Sequence, residues 1–382
     1  MPVQEEETCK HEMHENETYM KWTCFNTTPP MSTYIVTVVI SSAVLLKFLM
    51  VEPRIIIWGR PELEHMEFAE MMATKAMIIF EHKWTKLKIP KVQFVAIHSL
   101  LYDDEKWGLL LNSETDIIYN ENLDSVALKI KVARLIGHKM AYQWFGDVIN
   151  LFSSSELWLI DGLTTLYGID AIDRILDYKN SEMVDLFVVQ VYYESLRLET
   201  HNQSLIKEAN FFENNAFSSF YHYVKGYYRV NYDPENWQKI AEYLNSTEYT
   251  KIHVLNRAKI IDDAFYFMIN GQLNSSLFWN LTSHLEQETN YIAWYPMIKA
   301  FEHMSSIFPF PDKEVKNIKE KIKNILANLL EKIKYQEDPE ESDLTKCLRQ
   351  EAIKWLCILG DLNCLTRAYA ELLLLYMWNT NK

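Results

Sequence analysis

The sequence predicts a helix-dominated α+β protein in which strands come first and helices follow. β-branched and aromatic runs punctuated by turn residues end by Tyr119, whereas apolar residues spaced by three and four dominate afterwards. The nine glycines of the whole 382-residue chain also fit a mostly helical protein.

The first 60 residues read as β, with Pro29-Pro30 as punctuation, a strand from Met31 and a further run at 54–58 before Gly59. In the apolar stretch 34–51, Val36, Thr37, Val38, Val39 and Ile40 favour a buried strand. Lys47 breaks that stretch short of the about 20 apolar residues that a membrane crossing needs. Residues 62–82 turn helical, with Phe68, Met71, Met72, Ala76 and Ile79 on one face. A strand at 91–98, a turn at Tyr102-Asp103-Asp104 and a β run over 107–119 precede a helix at 128–144. Residues 156–196 continue as apolar helix, and the polar stretch 201–219, with Asn202, Asn210, Asn214 and Asn215, marks a boundary. Beyond Lys225 the chain is helical almost throughout. Its clearest helix carries the stripe Val315, Ile318, Ile322, Ile325, Leu329 and Ile333, opened by Pro311-Asp312 and closed by Pro339. The run 372–378 reads as a buried helix.

Composition excludes some classes. With 48% hydrophobic and 13% aromatic residues the chain has the means for a core, and 52 acidic against 38 basic side chains (net charge -14) argue against nucleic acid as a partner. The acidic start, residues 1–10, has neither a basic nor an apolar segment of a signal peptide, so secretion and membrane attachment are not encoded there. Six N-x-S/T sequons, at Asn16, Asn26, Asn202, Asn245, Asn274 and Asn280, nevertheless suggest an extracellular or lumenal lineage and a glycoprotein. Of the five cysteines, Cys357 and Cys364 are either a local bridge or two buried helix thiols. Cys9, His11, His14 and Cys24 match no standard zinc spacing.

The chemistry-bearing stretch is His138-Lys139-Met140-Ala141-Tyr142, followed by Trp158-Leu159-Ile160-Asp161-Gly162. It resembles the core of the zinc aminopeptidase N family, the gluzincin aminopeptidases, whose pattern is HExxH, eighteen residues, then a glutamate within W-L-N-E-G. The resemblance places His138 at the first zinc ligand, Tyr142 at the second, and Asp161 at the third. Lys139 stands where the family has its general-base glutamate. Tyr102-Asp103-Asp104-Glu105-Lys106-Trp107-Gly108 resembles the family's G-A-M-E-N-W-G, which implies that Glu105 meets the substrate's free α-amine. The resemblance runs on through residues 27–34, 226–233, 236–237 and 257–265, and it implies a disulfide between Cys357 and Cys364.

The family fold implies four regions: 1–60, the end of an N-terminal β domain; 61–200, a partial thermolysin-like catalytic domain; 201–224, an irregular junction where family elements are deleted; and 225–382, a helical C-terminal domain. The expected protein is therefore a truncated aminopeptidase homologue, inactive, holding no cofactor although its ancestors used zinc, and binding a peptide or protein partner. A residually active zinc aminopeptidase and a non-functional gene relic are the alternatives.

Overall fold

The structure, a computed structural model, describes residues 14–15, 18–19, 37–39, 47–49, 54–60, 64–85, 89, 91–98, 100, 104–146, 157–178, 182–198, 229–309, 313–338 and 340–380. The expectations placed on the first ten residues, the strand from Met31, the junction at 201–224, Pro311, Pro339 and the sequons at Asn16, Asn26 and Asn202 lie outside the described residues. The described residues fall into two compact units, one up to Val184 and the other from Asp185 onward.

The first unit contains the sheet. Two short strands, β1 (His14–Glu15) and β2 (Thr18–Tyr19), pair antiparallel by themselves. A five-stranded sheet is built from β3 (Lys47–Leu49), β4 (Ile55–Gly59), β5 (Val92–Ile97), β6 (Asp104–Lys106) and β7 (Leu109–Ser113), in the order β3-β4-β5-β7-β6. β4, β5 and β7 run parallel, with β3 and β6 antiparallel at the two edges. The parallel strands are almost purely apolar, and Ile55, Ile57, Val92, Phe94 and Leu110 are completely buried, as strands covered on both faces must be. β6 and β7 are joined by Trp107-Gly108, and Gly108 adopts φ +72, a conformation that two-residue hairpin turns demand and that glycine supplies without strain.

Three helices complete this unit. α1 (Glu67–Lys83) joins β4 to β5 and buries Ala69, Met72, Ala73, Ala76, Met77 and Phe80, a stripe at helical spacing. It begins later than the sequence pattern suggests, because His65 takes φ +63 and ends any helix running through it. α2 (Val126–Phe145) is capped by Ser125, whose side chain accepts from Leu128 N. α3 (Leu157–Ile175) packs along α2. At one end of these helices, Phe80, Trp84, Trp144, Phe145 and Tyr167 form an aromatic cluster, with Phe145 and Tyr167 stacked at 5.0 Å and Trp84 edge-on to Tyr167 at 4.9 Å.

The second unit is helical. Its first helix, α4 (Glu182–Leu198), starts in the first unit and has most of its length in the second. It is followed by α5 (Pro234–Leu244), α6 (Val254–Ile269), α7 (Ser275–Thr282), α8 (Tyr291–Met304), α9 (Lys313–Ile333), α10 (Asp343–Ile358) and α11 (Leu362–Thr380). Trp237, Phe278, Trp294, Phe301, Leu329 and Trp355 lie at the centre of its core. Arg229 donates to Asp262 at 2.6 Å, Val230 N donates to Asp263, and Trp237 Nε1 donates to Asn231, so the segment entering α5 is tied to the middle of α6. Cys357 and Cys364 are bridged across the turn between α10 and α11, and Cys347 is a buried cysteine outside that bridge.

Three expectations from the sequence are corrected here. Thr37, Val38 and Val39 are not in a strand, and Val38 is 69% exposed; β-branched residues favour a strand only where a sheet receives them, and no described strand does. α9 ends at Ile333, before Pro339, because Lys334 takes φ +61 and Arg349 donates to the carbonyls of Ile333 and Lys334. The C-terminal run is helical, but Leu372 and Leu373 are 64% and 54% exposed, continuing a stripe with Leu362, Leu365 and Tyr369. Apolar sequence alone does not bury a helix face without a neighbour to cover it. With these corrections the molecule is a helix-dominated α+β protein with a helical C-terminal unit.

Candidate functional site

Two glycines decide where the site residues sit. Gly137 on α2 and Gly168 on α3 face each other so closely that a Cβ on Gly137 would lie 2.8 Å from the Gly168 carbonyl oxygen. A Cβ on Gly168 would lie 2.9 Å from the backbone of Gly137 and His138. The two helix backbones are therefore in direct contact, which brings His138 against the face of α3 that carries Asp161 and Thr165, one turn apart. The His138 imidazole lies beside both: its Nδ1 is within hydrogen-bond reach of Thr165 Oγ1 at 3.3 Å, and its Nε2 is 3.8 Å from Asp161 Oδ1. The latter distance is too long for a hydrogen bond. It is near the separation of two donors that each stand about 2.0–2.2 Å from a shared zinc ion.

The next residues on α2 turn elsewhere. Lys139 is completely buried, and its ammonium donates to the Leu111 carbonyl on β7 at 2.8 Å. One turn later Gln143, also fully buried, accepts from Gly108 N at 2.7 Å and donates to the Lys106 carbonyl at 3.3 Å. Positions 139 and 143 thus grip the β6–β7 hairpin from one helix face. Glu105 lies on that hairpin, paired with Leu110 in the β6–β7 ladder. The half-buried Tyr142 packs over Gly146: a Cβ on Gly146 would lie 2.2 Å from its ring.

The structure therefore brings together His138 and Asp161, and puts Lys139 on the hairpin that bears Glu105. The ring of Tyr142 lies along α2 toward Gly146. Thr165, Gln143, Gly137 and Gly168 were not singled out from the sequence. Isolated glycines inside helical patterns were the available signal for the last two, since such residues cost helix stability and call for a packing reason. Among the described residues, no group of three or more histidine, cysteine, aspartate or glutamate side chains clusters tightly enough to hold a metal.

Perturbed titrating groups lie away from this site. Glu114, just after β7, receives both Nε and a terminal nitrogen of Arg60 at 2.7 Å, and this fork holds its carboxyl below the usual range. In the second unit, burial raises Asp262 despite Arg229 beside it, and burial lowers His284.

Comparison with known proteins settles the lineage. Residues 68–251 match the peptidase family M1 domain, and residues 224–379 match the ERAP1-like C-terminal domain. The chain belongs to the aminopeptidase N family of gluzincin aminopeptidases. It is similar to aminopeptidase N from Plutella xylostella, 36% identical over 143 residues that make up 37% of this chain and 15% of that protein. It is also similar to glutamyl aminopeptidase from Sus scrofa, 22% identical over 520 residues covering 96% of this chain and 54% of the relative. Membrane alanyl aminopeptidase from Manduca sexta is 28% identical over 142 residues, 37% of this chain and 14% of the relative. The chain thus spans about half or less of the length of these relatives. In the longest of these alignments, 96% of 382 residues is about 367, so roughly 150 of the 520 positions have no counterpart in this aminopeptidase homologue. Among the described residues no helix is long and apolar enough to cross a membrane.

Proposed function

We propose that this aminopeptidase N family member is catalytically inactive and binds a peptide or protein partner in the remnant of the family cleft without hydrolysing it. The observation that carries the reading is Lys139. At the position where the family has its general base, this chain has a side chain with no accessible surface whose ammonium is directed to a backbone carbonyl. An ammonium cannot accept the proton that such a base removes, and general bases contribute about 10²–10⁴ in rate.

The donor set does not fit a resident zinc ion. His138 and Asp161 keep a spacing compatible with a shared metal, but the second imidazole is replaced by the phenol of Tyr142, whose ring packs on Gly146. A phenol ionises near pH 10, so it is a poor zinc ligand at neutrality. Two protein ligands return little for the dehydration of the ion. What the cleft retains is its frame: α2, α3 and the hairpin carrying Glu105, whose family counterpart meets a free α-amine. An extracellular or lumenal location is part of the same proposal, supported by the sequons and by the Cys357–Cys364 bridge.

The test is a calorimetric zinc titration of the folded chain beside a Lys139→Glu, Tyr142→His double variant, with release of N-terminal residues from a fluorogenic substrate measured on both. Silence in the natural chain together with zinc binding by the double variant is the expected result. Zinc-dependent turnover by the natural chain would instead establish a residually active peptidase. For the binding function, a labelled peptide with a free amine should bind more tightly than its N-acetylated form, and Glu105→Gln should remove the difference. Equal affinity for both forms would refute the role given to the cleft.

A further inference from the structure

Three sequons lie among the described residues of the helical unit, and the fold treats them differently. Asn245, in Asn245-Ser246-Thr247, ends α5. Its amide nitrogen donates to Ala241 O at 2.8 Å and to Asn280 O at 3.1 Å, and its oxygen accepts from Ser283 Oγ at 2.8 Å. Both amide hydrogens are in use, joining the end of α5 to the end of α7. Asn245 is itself exposed, but an N-linked glycan leaves an asparagine only one such hydrogen, so a sugar here breaks one of these two bonds.

Asn280, in Asn280-Leu281-Thr282, has an exposed side chain. The hydroxyl of its sequon, however, is completely buried: Thr282 Oγ1 donates to the carbonyls of Phe278 at 3.1 Å and Trp279 at 3.3 Å. A sequon is read through both its amide and the hydroxyl two residues on, so this one is closed once α7 forms.

Asn274, in Asn274-Ser275-Ser276, differs on both counts. It caps α7 with its oxygen, which accepts from Ser276 N and from Ser276 Oγ, each at 2.8 Å. That fixes the amide with its oxygen on the helix and its nitrogen outward. The residue is exposed, among the described residues neither hydrogen on Nδ2 is donated to another group, and the exposed Ser276 hydroxyl lies beside it.

We infer that Asn274 is the N-linked glycan acceptor that the folded helical unit presents, and that Asn245 is closed to modification by its bridging role. In the transfer, Asn274 Nδ2 forms a bond to the anomeric carbon of a lipid-diphosphate-linked oligosaccharide. The bond from that carbon to the phosphate oxygen breaks, the lipid diphosphate leaves with the electron pair, and one amide proton passes to a base. The inference shares the lumenal setting of the proposed function.

The test directs the full chain into the secretory pathway with a cleavable signal peptide. Site occupancy in the secreted, protease-resistant fraction is read by mass spectrometry after glycosidase release in heavy-oxygen water. Asn274 is expected occupied and Asn245 bare; Asn274→Gln should lose one glycan, and Asn245→Gln none. A glycan on Asn245 in the folded fraction, or a bare Asn274, would overturn the inference. Because the added signal imposes the route, such a result counts against the site and leaves the native location of the chain to be judged separately.

Discussion

Replacing Gly168 with alanine tests the helix crossing on which the site geometry depends. The added methyl would stand 2.9 Å from the Gly137 carbonyl carbon and from His138 N, and 3.0 Å from the Gly137 oxygen. Carbon contacts relax at about 3.5–4.0 Å, so α2 and α3 have to part by roughly 0.5 Å or more. The atoms struck are backbone and cannot rotate aside, which puts the cost toward the upper part of the about 1–3 kcal/mol typical of overpacking. Alanine returns about 1 kcal/mol of helix propensity, leaving a net loss of about 1–2 kcal/mol. For a unit of this size that is a fall of about 2–8 °C in its melting temperature, measurable by calorimetry on the full chain. Gly137→Ala should do the same, and the double variant should cost less than the sum, since helices already parted accommodate the second methyl. In the Lys139→Glu, Tyr142→His background, Gly168→Ala should also weaken zinc binding by pulling Asp161 away from His138. A Gly168→Ala variant that gains the full propensity value in stability would refute the close crossing.

Other outcomes follow from the helical unit. Arg349→Ala removes the donor to the Ile333 and Lys334 carbonyls and strands Glu341, with which Arg349 pairs through both terminal nitrogens; a loss of about 3–5 kcal/mol in denaturant unfolding is expected, and lysine, lacking the fork, should not restore it. Cys357→Ser opens a bridge of sequence separation 7, and the loop-entropy relation gives a loss of about 2.5 kcal/mol, checked by melting with and without reductant. His284 is buried with its Nδ1 donating to the Leu281 carbonyl at 2.7 Å, and desolvation lowers its pKa from 6.5. The unfolded chain then binds the proton more readily, so stability is complete above about pH 6.5 and is lost as pH falls toward the folded value. In an acid titration of stability, His284→Gln should flatten that segment of the curve, and an unchanged slope would rule out this histidine as its source.

Much of the fold was legible because its signals are local. The stripe from Val315 to Ile333, the strand at 91–98 and the helix around His138 all follow from spacing within one element. The errors arose where a neighbour decides. Val38 has the residue type of a strand and no described partner, and Leu372 has the residue type of a core and no cover. The end of α9 depends on Arg349, which lies in the next helix, so no pattern within 313–339 could reveal it. At the site, His138 and Asp161, which the resemblance assigns to one zinc site, lie 3.8 Å apart, but the motif carried no information on where Lys139 and Tyr142 point. Those directions are set by the carbonyl of Leu111 on another strand and by the space above Gly146.

Under the proposed function, the arrangement also explains how a site of this kind would survive the loss of its chemistry. The groups that fix the geometry, the Gly137–Gly168 contact, the Gln143 grip on the hairpin and the aromatic cluster around Tyr167, owe nothing to a metal ion. Lys139 adds to that frame, since its hydrogen bond to Leu111 ties α2 to β7 in a place without solvent, where a charged donor's bond is worth about 1.5–3 kcal/mol. A glutamate there could not make this bond, because a carboxylate and a carbonyl oxygen both only accept. The lysine that stands at the family's general-base position in the proposed reading thus also ties α2 to the β6–β7 hairpin. Restoring glutamate alone should therefore cost stability without returning activity, and only the double replacement, which also supplies the second imidazole, separates the frame from its chemistry.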